Sequence, residues 1–168
     1  MSIEKKVIET LVPEKVYTDR EDHIEYFYNA ALKAITRRTM STVLLGQRRM
    51  GKTEIFKRVV NRLFFDQHHD DQVVIPVYFQ FPDENITRDE FAMRYVDNFL
   101  RWVAAFRLKD KSLIYQPQNT VDLLNFIENN LNMSKGLEVA IGTARSIMSQ
   151  QLVLASQAAI MLPKKEAY

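Results

Sequence analysis

The 168-residue chain has no cysteine, one tryptophan, four glycines and five prolines. Without cysteine there is neither a disulfide framework nor a thiolate metal site, which fits a reducing cytoplasm. Net charge is also scarce: 23 Lys and Arg stand against 21 Asp and Glu, for a formal charge of +2. No strongly basic face of the kind that holds nucleic acid by counterion release is implied. Long apolar runs are missing as well. The most apolar stretch, Leu152 to Leu162, is interrupted by Ser156 and Gln157 and falls short of the ~20 residues needed to cross a bilayer. The N-terminus, MSIEKKVIETLVPEK, is broken by charges every few residues and carries no apolar core of a signal peptide. A cytoplasmic location without a membrane partner is expected. What is present is 46% hydrophobic and 26% charged residues, the composition of an ordinary globular protein.

Periodicity divides the chain into helical and strand-like stretches. Thr18-Asp19-Arg20-Glu21 has the form of a capping box, in which a threonine and a glutamate three residues on satisfy helix-terminal N–H groups. The helix predicted to follow places Ile24, Phe27, Ala31, Ala34 and Ile35 on one stripe, puts Arg37 and Arg38 at the negative end of its dipole, and ends near Thr39. Ser41 to Leu45, STVLL, is short, β-favouring and followed by a glycine, which predicts a buried strand ending in a loop. After Lys52, Ile55, Val59, Val60, Leu63 and Phe64 mark one helical face, and Glu54, Lys57, Arg58 and Arg62 the other. Val73 to Phe79, VVIPVYF, predicts a second strand, with Pro76 favouring an edge because it cannot donate to a ladder. Thr87-Arg88-Asp89-Glu90 is a second capping box. It opens a helix with Phe91, Tyr95, Val96, Phe99, Leu100, Val103 and Phe106 on one side, and Arg94, Asp97 and Arg101 facing elsewhere. A shorter helix is expected over Thr120 to Leu131, and a last, alanine-rich one over Leu137 to Leu162 with Gly142 as its weak point.

One constellation carries chemistry. Gly46-Gln47-Arg48-Arg49-Met50-Gly51-Lys52-Thr53 satisfies the Walker A pattern G-x-x-x-x-G-K-[ST] in full. Glycines at both ends permit positive φ angles and the close backbone approach by which successive N–H groups wrap a phosphate. Lys52 supplies a compact positive charge for β- and γ-phosphates, and the Thr53 hydroxyl a place in a Mg²⁺ shell. The positive end of the helix that begins at Lys52 favours the anion further. Two of the chain's four glycines are spent here.

LLGQRRMGKTEIF resembles the G-x-R-R-x-G-K-T signature of STAND-type and archaeal-type AAA+ ATPases, and YTDREDHIEYF (Tyr17 to Phe27) is similar to that family's upstream GRE element. Arg20 and Glu21 match the element, whereas Asp19 stands where the family has glycine. The resemblance covers about residues 15 to 110 and implies an α/β fold: a P-loop NTPase core of AAA+/STAND type, incomplete, and helix-rich after its second strand. It implies ATP and Mg²⁺ as cofactors and Lys52 as the catalytic lysine. Gly46, Gln47, Arg48, Arg49, Met50, Gly51, Lys52 and Thr53 then bind nucleotide, Arg20 lies toward the adenine, and Thr53 holds the metal.

Such an ATPase also needs a Walker B strand, four apolar residues ending in an acid. VVIPVYFQF ends in Gln80 and Phe81, with Asp83 and Glu84 beyond Pro82, and QLVLASQ has no acid. Residues 1–16 therefore read as an N-terminal extension, and 17–168 as the N-terminal part of a P-loop ATPase domain lacking Walker B and lid. The expected function is ATP binding, with hydrolysis once the missing acid is supplied. The alternative is a non-catalytic truncated P-loop protein that acts as an interaction module, through a protein partner or self-association. A small P-loop kinase fits less well, because it needs a self-sufficient sheet. His68-His69-Asp70-Asp71 contains metal-ligand types but reads as a solvated loop, the aromatic series Phe91 to Phe106 as core, and Glu54 as a surface carboxylate.

Overall fold

The computed structural model describes residues 6–13, 16–17, 20–36, 42–47, 49–67, 73–116, 118–151 and 154–163. The chain forms two compact units, Met1–Tyr78 and Phe79–Tyr168. Among the described residues the regular structure is helical throughout, with no strand and no sheet.

In the first unit, α1 (Glu21–Leu32) runs into a 3-10 turn at Lys33–Thr36, and α2 spans Lys52–Phe65. Of the predicted stripe, Ile24, Phe27 and Ala31 pack on the buried Ile55, Val59 and Leu63 of α2, joined by Tyr28 and Leu32, whereas Ala34 and the exposed Ile35 lie beyond α1 in the 3-10 turn. Phe27 and Phe56 meet with ring centroids 5.1 Å apart. The cap differs from the expected box. Arg20 is the N-cap residue, no side chain caps it, and its backbone N–H donates to Glu21 Oε2 at 3.1 Å. Thr18 and Asp19, like Arg37, Arg38 and the 68–71 loop, lie outside the described residues.

The α/β P-loop NTPase core expected from the resemblance is overturned. Thr42–Leu45 is irregular backbone with Val43 and Leu45 74% and 84% exposed, and residues 73–80 are likewise without strand pairing. The physical reason is the ladder. β-favouring side chains make a strand only when a neighbouring backbone takes their N–H and C=O groups. Here a side chain takes them instead: Gln67 Nε2 donates to Val74 O and its Oε1 accepts from Val74 N.

The second unit is built around α3 (Arg88–Leu108). The 3-10 turn Lys111–Ile114, α4 (Thr120–Asn130), α5 (Lys135–Met148) and α6 (Ala155–Ile160) all pack against it. The predicted capping box is formed, with Thr87 Oγ1 accepting from Glu90 N and Glu90 Oε2 from Thr87 N. Residues 101 to 106 are all buried, so α3 is not two-faced along its C-terminal half but central, as a helix enclosed on all sides must be. Phe99, Trp102 and Phe106 are core residues, as expected.

Arg101 does not face away. Its guanidinium bonds Asp97 Oδ2 at 2.6 Å and the carbonyl of Gln116 at 2.7 Å, and it also reaches the carbonyl of Gln118, which fastens the link into α4. Asn119 and Ser134 cap α4 and α5 through Asp122 N and Leu137 N. The long C-terminal helix expected over 137 to 162 is interrupted after Met148, where Gln150 takes a left-handed φ of 56°. Gly142 stays helical.

Candidate functional site

The described Walker A residues, Gly46, Gln47 and Arg49 to Thr53, lie at the head of α2. Gly51 is its N-cap residue, with φ 74° and ψ 15°, and no side chain caps the helix. This left-handed conformation suits glycine, which meets no Cβ penalty there. Arg49 takes a similar value, φ 69°. Two left-handed residues within three positions turn the backbone back on itself. Lys52 then folds over the turn, its Nζ donating to the carbonyls of Gly46 and Gln47, each at 2.6 Å. The loop is thus wrapped around the lysine ammonium. A Cβ at Gly46 would stand 3.7 Å from Lys52 Cδ and Nζ, an ordinary contact, and φ at Gly46 is not positive. The expectation of positive φ at both glycines therefore holds for Gly51 alone.

These groups fit a phosphate chain. The first-turn N–H groups of α2 are free of any capping side chain, the helix dipole points its positive end at the turn, and an ammonium lies beside it. Thr53 is exposed in the first turn, where its hydroxyl is open to a hydrated Mg²⁺. No group of three or more His, Cys, Asp or Glu side chains placed to hold a metal occurs among the described residues. Gln47, Arg49 and Met50 form the exposed rim of the turn, and Arg48 lies outside the described residues. Arg20 is brought to the N-cap of α1, and no hydrogen bond or ion pair among the described residues joins it to the turn.

What the sequence reading missed lies on the other side of α2. Glu54, Arg58 and Asn61 are buried. Their i, i+4, i+7 spacing is that of a helix face, and this face grips the N-terminal segment. Asn61 Oδ1 accepts from the N–H groups of Val7 and Ile8 at 2.9 and 2.8 Å, and its Nδ2 donates to the Ile8 carbonyl at 2.9 Å. Glu54 Oε2 accepts from Leu11 N at 3.1 Å and from Arg58 at 2.8 Å, and Arg58 donates to the Val12 carbonyl at 2.6 Å. Lys57 adds a bond to the Glu9 carbonyl at 3.0 Å. Glu54 is therefore no surface carboxylate. Burial pushes its carboxyl upward, but the bonds from Arg58 and from the backbone outweigh that and hold it below the ordinary range. Burial, then the Glu54 charge, keeps the Tyr78 phenol above its usual value. Three polar residues in helical register were the available signal, but Glu54 and Arg58 were placed on the polar face because such residues are seldom buried unless paired, and Asn61 was assigned to no face.

Among the described residues no helix is long and apolar enough to cross a membrane. Comparison with protein-family models, with curated proteins and with solved structures returned no match for the chain.

Proposed function

We propose that the turn Gly46 to Thr53 binds the phosphates of a nucleotide, ATP with Mg²⁺. The carrying observation is the backbone turn closed on Lys52, with its ammonium 2.6 Å from two loop carbonyls and Gly51 left-handed at the head of an uncapped helix. A phosphate chain offers Lys52 a stronger, charge-assisted acceptor than a carbonyl, and the α2 N–H groups provide further donors. The preference for ATP rests on the likeness of LLGQRRMGKTEIF to AAA+/STAND signatures and not on a sheet. In this reading Lys52 offsets charge on the γ-phosphate during attack by water. Turnover requires an acid that no strand supplies here, so the function proposed is nucleotide binding, with hydrolysis dependent on another group, in the cytoplasm.

Equilibrium titration of the purified chain with MgATP tests the reading. Lys52→Ala is expected to lose most of the affinity, about tenfold or more for one charge-assisted contact to phosphate. Unchanged binding by that variant sinks it. The alternative of an interaction module draws on the exposed Val43 and Leu45 of the first unit, apolar side chains that a partner can cover. It predicts association that is indifferent to ATP.

A further inference from the structure

In this chain a glutamate at the third position of a helix is used for capping: Glu90, at N3 of α3, reaches back to the N–H of its N-cap residue Thr87 at 2.8 Å. Glu54 occupies the same N3 position of α2, whose N-cap residue is Gly51. Its carboxylate makes no hydrogen bond to that N–H among the described residues and is held by Arg58 and by the backbone at Leu11 and Val12. The hold is incomplete. Glu54 Oε1 is buried without a hydrogen bond among the described residues, with the Lys57 ammonium 3.9 Å away.

We propose that residues 7–12 are a regulatory strap, anchored by Asn61, that keeps the Glu54 carboxylate off the phosphate turn. With the strap docked, the Gly51 N–H is available to phosphate. With it released, Glu54 loses the Leu11 N–H and caps α2 as Glu90 caps α3, placing a negative charge on the donor that phosphate needs. Nucleotide binding and strap docking therefore favour each other, and by linkage each strengthens the other equally. A partner that captured Val7 to Val12 would lower nucleotide affinity.

This inference rests on the nucleotide reading, and the two fail separately. ATP affinity of the unmutated chain is measured first, and absence of binding there overturns the nucleotide reading itself. Given binding, Asn61→Ala is compared with the wild type and with Asn61→Ala/Glu54→Ala, while hydrogen exchange is followed at the amides of Val7, Ile8 and Leu11. Asn61→Ala is expected to speed exchange at all three and to weaken ATP binding about tenfold, the scale of one charge-assisted hydrogen bond. The double variant is expected to recover most of that loss. Such a recovery has no explanation in stability, since the second substitution also removes a buried ion pair. Leu11→Pro, at an exposed position, removes one of the backbone N–H groups that hold Glu54 and is expected to weaken binding in the same direction, which guards against misfolding of Asn61→Ala. Slow exchange in Asn61→Ala overturns the anchor. Fast exchange with unchanged affinity, or a double variant no better than the single, overturns the strap.

Discussion

The side-chain amide of Gln67 does for Val74 what a neighbouring strand does elsewhere: it takes the Val74 N–H and carbonyl, each at 2.7 Å, and also donates to the Leu63 carbonyl at 2.6 Å. One residue at the end of α2 thus pins an extended segment by its backbone and not through its β-favouring side chains. Gln67→Leu is expected to leave these partly buried groups without partners, at a cost of about 1–3 kcal/mol in the urea unfolding of the first unit. A loss below the error of such a titration would mean that water replaces the amide without penalty.

The two motif glycines are expected to separate in their response to alanine. Gly51→Ala forces a Cβ onto φ 74° and should destabilise by about 1 kcal/mol. Gly46→Ala meets only an ordinary 3.7 Å contact and should stay within about 0.5 kcal/mol. Thermal unfolding of both variants decides it, and equal losses would contradict the geometry of the turn.

In the second unit, Arg101→Met is expected to be severe, about 3 kcal/mol, because it strands Asp97 and frees the carbonyls that hold 116 to 118. The exposed pair Arg145–Glu128 at 2.8 Å makes the contrast, Arg145→Ala being worth about 0.5 kcal/mol or less. Fluorescence of the single, buried Trp102 follows the unfolding of both.

Acid should loosen the first unit through Glu54. Its folded-state pKa lies below the unfolded value of 4.5, so the stability it contributes is complete above 4.5 and is lost as pH falls through the folded value. The groups around it are the Arg58 guanidinium, the Lys57 ammonium, the Leu11 and Val12 backbone and the Tyr78 phenol. Glu54→Gln should differ from wild type above pH 4.5 and converge with it below. A stability difference that stays constant on acidification would assign no role to the carboxylate charge.

Helices were legible in the sequence wherever an apolar stripe coincided with a cap. Thr87 and Glu90 marked the start of α3 to the residue, and the spacing of Val121, Leu124, Ile127 and Leu131 marked α4. Strands were not, because STVLL and VVIPVYF state only a preference, and pairing depends on a neighbour that local composition does not describe. The break after Met148 was missed for a related reason: Ser149 and Gln150 carry no breaker signal, whereas Gly142 does and yet remains in α5. At the candidate site the pattern placed a glycine loop ahead of α2, and the bonds of Lys52 to the Gly46 and Gln47 carbonyls were not legible in it. Glu54 and Arg58 escaped because their polarity outweighed their spacing, and Asn61 was assigned to no face.

The strap also has a place in the order of folding. Val7 is 54 residues from the Asn61 side chain that holds it, whereas Arg101 reaches Gln118 across 17. Contacts so distant in sequence close only after the local helices give them something to close on. During synthesis, then, Val7 to Val12 must wait until α2, which is made after them, has formed before they find their seat.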